Sequence, residues 1–144
     1  MKKLFYLIPV LLIIDQATKL LSINQNLTLI PNILLVKYSV NPGIVFGIFS
    51  NNLIATVIFP FIFTILFLYL YFKERNKPRL FSLGVVFAIS GLLGNLIDRF
   101  AYGNVIDFIL IPIKPERNVS LFNFADVFLV AGIILLIVYY YKSK

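Results

Sequence analysis

Leu80-Phe81-Ser82-Leu83-Gly84-Val85-Val86-Phe87-Ala88-Ile89-Ser90-Gly91-Leu92-Leu93-Gly94-Asn95-Leu96-Ile97 runs without a single charge between Arg79 and Asp98. As an α-helix this stretch is roughly 27 Å long, close to the roughly 30 Å hydrocarbon core of a bilayer. It therefore reads as a membrane span. Outward from it lie three more apolar stretches of similar length, about Leu4–Ser22, Leu53–Phe72 and Phe122–Tyr141. With 60% hydrophobic and 13% charged residues in 144, the chain is far from the roughly 25% charge of soluble domains. The expected fold is an all-α polytopic membrane protein, a bundle of four transmembrane helices forming one domain over residues 1–144.

The net charge of +7 would suggest a nucleic-acid partner in a soluble protein, but here its placement follows topology. Lys2 and Lys3 precede the first span, Lys73, Arg75, Lys77 and Arg79 crowd the connection between the second and third, and Lys142 and Lys144 follow the fourth. By the positive-inside rule both termini and the 73–79 connection are cytoplasmic, and no nucleic-acid partner is expected. Lys2-Lys3 followed by Leu4–Ile14 resembles the start of a cleaved leader. However, Asp15 and Lys19 interrupt the apolar run and no small-residue cleavage site closes it, so the segment reads as a retained span.

The two segments left outside are about 23–52 and 98–121. In the first, Val36, Tyr38 and Val40 alternate with Lys37 and Ser39 between the turn signals Pro31-Asn32 and Asn41-Pro42-Gly43, which predicts a small extracytoplasmic β-sheet. The second contains Val105–Ile111 and then Pro112 and Pro115, too short and broken to span.

The chain has neither histidine nor cysteine. That excludes Ser-His-Asp triads, thiol nucleophiles, His-ligated zinc and disulfides, so acid–base work falls to carboxylates, lysine or tyrosine, and neither a metal nor a cofactor is expected. Asp15 and Lys19, four apart, share one face of the first helix, roughly 16 Å along it from Leu4 and thus near mid-membrane. Their cost in lipid turns them inward as a structural brace. Asn95, Asp98 and Arg99 form one patch at the outer end of the third helix. Asn123 and Asp126, three apart, share a face of the fourth, and Asp107 belongs to the preceding outer loop.

Asp107 and Asp126 converge on that level. Two ionised carboxylates about 4 Å apart at an effective dielectric near 20 repel by roughly 4 kcal/mol, so such a pair holds one proton between them. One member can accept a proton from water attacking a peptide carbonyl while the other donates; which does which stays open, because the titration belongs to the pair. Three other readings compete: a proton-coupled membrane transporter, since buried Asp, Lys and Arg also mark ion pathways, a Ser-Lys hydrolase using Ser22 and Lys19, and a purely structural membrane subunit.

Five stretches carry a resemblance: Asp15-Gln16-Ala17-Thr18-Lys19, Asn41-Pro42-Gly43-Ile44-Val45-Phe46-Gly47, Gly94-Asn95-Leu96-Ile97-Asp98-Arg99, Val105-Ile106-Asp107-Phe108 and Phe122-Asn123-Phe124-Ala125-Asp126. In order and spacing the chain resembles the bacterial lipoprotein signal peptidase (signal peptidase II) family. The resemblance implies a four-span inner-membrane aspartic endopeptidase, active at the outer face, that removes signal peptides from prolipoproteins just before the diacylglyceryl-cysteine. It implies Asp107 and Asp126 as the catalytic pair, Asn41, Asn95, Arg99 and Asn123 lining or supporting the site, and Asp15, Lys19 and Asp98 holding helices and loop in place. The expected partners are these lipid-modified precursors and membrane lipids, with the chain acting as a monomer. One departure is visible: Ile44 and Val45 stand where relatives commonly carry small residues.

Overall fold

Local sequence sets several of the helix boundaries. The computed structural model describes residues 2–43, 49–50, 52–74, 77–112 and 121–143; Ile44 and Val45 lie outside them. A 3-10 turn, Lys2–Tyr6, leads into α1, Leu7–Ser22. The second apolar stretch opens with a π-helical turn, Ile54–Ile58, and continues as α2, Phe59–Lys73. Pro60 lies in the first turn of α2 and brings no backbone N–H to the helical ladder, which suits a departure from regular α geometry just before it. Helix α3 covers Arg79–Tyr102, longer than its apolar core, so Asp98 and Arg99 lie within its last turns. It stops at Gly103, whose left-handed φ of 74° suits glycine and whose N–H returns to the Arg99 carbonyl. Helix α4 spans Phe124–Lys142.

All four helical stretches are long and apolar enough to cross a membrane, and α3 is the buried one, with 67% of its apolar stretch inside the protein against 22% for each of the others. Helices α3 and α4 approach closely because glycines face backbone. A Cβ on Gly132 would come within 2.5 Å of the Ala88 nitrogen, and one on Gly91 would collide with the Ala125 carbonyl oxygen. Away from the polar end, Ile8, Tyr71, Phe81, Val85, Val86, Ile89 and Tyr139 form the apolar core.

The sheet is larger than the alternating pattern alone predicts. Strands β1 (Asn26–Ile30), β2 (Leu34–Asn41), β3 (Val105–Leu110) and β4 (Leu121–Phe122) form one antiparallel sheet in the order β1-β2-β3-β4. Thus Asp107, expected in a loop, sits on an inner strand. The β2–β3 register is irregular between Val36 and Ser39, beyond which Ser39 pairs with Asp107 and Asn41 with Val105. Side chains two apart share a face, so this register sets Asn41 diagonally across from Asp107 on the same side.

Candidate active site

The strand and helix ends deliver both candidate aspartates to one residue, Asn123. Phe122 closes β4 opposite Ile109 of β3, and the next residue is the N-cap of α4. Asn123 is therefore not on a helix face, as the three-residue spacing to Asp126 suggested; the two meet through a capping box. The Asn123 side chain accepts from the Asp126 N–H (3.0 Å), and Asp126 Oδ2 accepts from the Asn123 N–H (3.1 Å). The same Asn123 side chain donates through Nδ2 to Asp107 Oδ1 at 2.7 Å. One wholly buried carboxamide thus touches both aspartates.

The remaining donors complete the cradle. Asp107 Oδ2 accepts from Asn41 Nδ2 at 2.9 Å, and Asp126 Oδ1 accepts from Asn95 Nδ2 at 2.7 Å. Asn95 Oδ1 accepts in turn from Asn123 Nδ2 at 3.1 Å. Arg99 donates to two carbonyls, Gly43 O at 2.8 Å and Asn95 O at 3.3 Å, pinning the turn after Asn41 while its charge acts on Asp126, Asp107 and Asp98.

The two aspartates differ. Asp107 is buried at 3% exposure, whereas Asp126 is half-buried beside the first turn of α4. Burial pushes the Asp107 carboxyl up to about 6, the Asn41 hydrogen bond opposes this, and the negative charge of Asp126 adds to it, with Asn123 and Lys19 opposing. At Asp126 two N–H donors and the helix N-terminus solvate negative charge.

Behind the pair lies a second network. Lys19 Nζ sits 2.8 Å from Asp15 Oδ2 and 3.0 Å from Asp98 Oδ2, all three side chains buried. Asp15 Oδ1 accepts the Ala125 N–H of α4 at 2.8 Å, and Asp98 Oδ2 accepts the Ile106 N–H of β3 at 3.0 Å. These three residues therefore tie α1, α3, α4 and β3 together. Gly94 makes room, since a Cβ there would lie 2.6 Å from Asp15 Oδ2. Although Asp15 falls halfway along α1, it stands level with the first turn of α4, because the helices are staggered.

Gln16, a member of the first motif with no role expected from its spacing, joins this network. Its Nε2 donates to Asp98 Oδ1 at 2.8 Å and to Gly94 O at 3.2 Å. Adjacent helical residues do not face one another, which is why pairing rules pass over it beside Asp15. The available signal was the polar run Asp15-Gln16 inside an apolar span.

The Ser-Lys alternative finds no geometry: the Ser22 hydroxyl donates to the Lys19 carbonyl at 2.7 Å, while the Lys19 ammonium is engaged by carboxylates. Among the described residues no group of three or more acidic side chains could hold a metal ion.

Comparison with known proteins identifies the family. The profile of the family described as signal peptidase (SPase) II matches residues 7–142. The chain belongs to the signal peptidase II family. Lipoprotein signal peptidases of Clostridium tetani and Clostridioides difficile are 33% and 36% identical to it, over 92% and 98% of this chain and 88% and 98% of theirs. A bacterial membrane enzyme solved by the in meso method at 2.3 Å superposes with a TM-score of 0.88 at 28% identity, covering 99% of this chain and 89% of that one. A second, at 1.9 Å, gives 0.86 at 27%, covering 100% and 96%. Membership makes the protein a bacterial membrane peptidase, as the five motifs implied, and leaves the transporter reading without support.

Proposed function

We propose that this family member is a four-span aspartic endopeptidase of the bacterial inner membrane, with residues 1–144 forming one peptidase domain, both termini cytoplasmic, and the sheet and site at the outer face. It removes signal peptides from lipid-modified prolipoproteins by cutting just before the diacylglyceryl-cysteine. The observation that carries the reading is the double engagement of Asn123 with Asp107 and Asp126. A hub residue between two carboxylates makes their protonation states interdependent.

In this mechanism Asp107, buried and raised to about 6, holds the shared proton, and Asp126, solvated by Asn95 and the α4 N-terminus, is the base. A water gives a proton to Asp126 as its oxygen bonds to the scissile carbonyl carbon, while Asp107 protonates the carbonyl oxygen. Breakdown reverses the roles: Asp126 protonates the leaving nitrogen, the C–N bond breaks, and Asp107 recovers its proton from the hydroxyl. Asn41, Asn95 and Asn123 orient the carboxylates, and Arg99 holds the 41–43 turn against them.

The substrate class fits the setting. An apolar signal helix and acyl chains reach the site through lipid, with about 0.8 kcal/mol gained per buried CH₂, so partitioning supplies much of the affinity and the monomer needs to admit water only at the scissile bond. The test is cleavage by the purified protein in detergent, with chelator present, of a lipid-modified precursor and its unmodified counterpart. The expected product of the modified precursor begins at the lipidated cysteine and the unmodified one is processed far more slowly. Equal rates, or a cut at another bond, contradict the proposal.

A further inference from the structure

We propose that Lys19, beyond bracing the helices, is a positioning residue for the carboxylate pair: its ammonium holds the Asn95 carboxamide in the orientation that turns Nδ2 toward Asp126. The proposal rests on the reading of Asp107 and Asp126 as the reacting pair.

An ammonium has three N–H donors and no acceptor. At Lys19 all three are engaged, by Asp15 Oδ2 at 2.8 Å, Asp98 Oδ2 at 3.0 Å and Asn95 Oδ1 at 3.2 Å. The first two contacts account for a brace. The third leads elsewhere, since Asn95 Nδ2 then points the opposite way and donates to Asp126 Oδ1 at 2.7 Å. A flipped amide would set its NH₂ against the cation and its oxygen against the Asp126 carboxylate, turning two attractions into two repulsions.

Asn123 cannot hold Asn95 by itself. Its Nδ2 has two protons facing three acceptors, Asp107 Oδ1 at 2.7 Å, Asn95 Oδ1 at 3.1 Å and the Ile106 carbonyl at 3.2 Å, so its grip on Asn95 competes with its grip on Asp107. Lys19, 1% exposed, has no such conflict. Its charge also reaches Asp107 and lowers that group's proton affinity, alongside Asn41 of β2 and Asn123 at the start of α4, and against Asp126 of α4; Arg99 of α3 acts on the same group.

The experiment is a double-mutant cycle on cleavage of a lipid-modified precursor in detergent, with kcat and KM measured for the parent, Lys19→Met, Asn95→Ala and the double variant. Each single change is expected to lower kcat about 10- to 100-fold, the loss associated with misplacing a reacting group, with KM moving less than about threefold. Because Lys19 acts through Asn95, the double variant is expected to be no slower than Asn95→Ala alone. The alkaline limb of kcat/KM should also move upward in Lys19→Met, because the cation that lowers the proton affinity of Asp107 is gone; the coupling with Asn95 and the kcat-against-KM split separate positioning from bracing. Losses that multiply in the double variant, or a Lys19→Met protein with the parent's kcat, overturn the proposal.

If Lys19→Met does not fold, the same cycle is run on an Asp98→Asn background. Two carboxylates and one ammonium leave the brace one negative charge, and so does Asp15 alone once Lys19 and Asp98 are both neutral. Asp107→Asn, assayed alongside, separates the two ideas: full cleavage by it sinks the pair itself, whereas an inactive Asp107→Asn together with multiplying losses sinks only the role of Lys19.

Discussion

The two halves of this bundle are held together by opposite means. At one end Ile8, Tyr71, Phe81, Val85, Val86, Ile89 and Tyr139 pack as a core, with Phe81 and Tyr139 rings edge to face at 5.3 Å. At the other, Asp15, Lys19, Asp98, Asp107 and Asn123 are buried and fully hydrogen-bonded. An apolar core tolerates small changes of shape, because its contacts are many and non-directional. A buried polar network does not, since removing one partner strands another with neither water nor a substitute. The proposed chemistry therefore sits where geometry is most sharply specified.

Outside the two aspartates themselves, the largest effect should come from Asn123→Ala. It removes the donor to Asp107 and the side-chain half of the α4 cap together, and kcat should fall about 10³-fold. Near-parental turnover in a folded protein would mean that the polar half is no more exacting than the apolar one.

The pH profile comes next. The proposed active form needs Asp107 protonated, so it is present below the Asp107 value of about 6 and lost as pH rises through it. We expect kcat/KM to fall about tenfold per unit on the alkaline side, with the limb moving higher in kcat because bound substrate excludes water. The sign for stability is the same. A carboxyl raised from 3.8 favours the folded state when protonated and penalises it when ionised, so folding loses free energy between roughly pH 4 and 6. Asp107→Asn should flatten that decline in a thermal melt.

Gly91 lies where the two halves join. Gly91→Ala forces a methyl toward the Ala125 carbonyl, which belongs to backbone and cannot swing aside, and should cost about 1–3 kcal/mol together with some activity. Ile89→Val, two residues away in the apolar half, should cost only about 0.5–1.5 kcal/mol with kcat unchanged. Equal effects of the two on turnover would erase the contrast.

Much of this was legible in the residues. Length and hydropathy revealed the four apolar helices, and order and spacing of five motifs revealed the family. What escaped was the route by which the parts meet. The Asp107 segment, broken by Pro112 soon afterwards, read as a loop, because strand pairing with β2 is a long-range contact with no local marker. The irregular register between Val36 and Ser39, which sets Asn41 diagonally across from Asp107, is likewise invisible to an alternation rule. Asn123 and Asp126 at three-residue spacing suit both a shared helix face and a capping box, and the pairing of Phe122 with Ile109 decided for the box. Gln16 was passed over because its partners come from α3 as well as its own neighbour.

The most direct test of the central claim is cleavage of a lipid-modified precursor by Asp107→Asn and Asp126→Asn, each purified in detergent and confirmed as folded by its melting profile. The account predicts a folded protein with no detectable product in both cases. Full processing by either variant would contradict it.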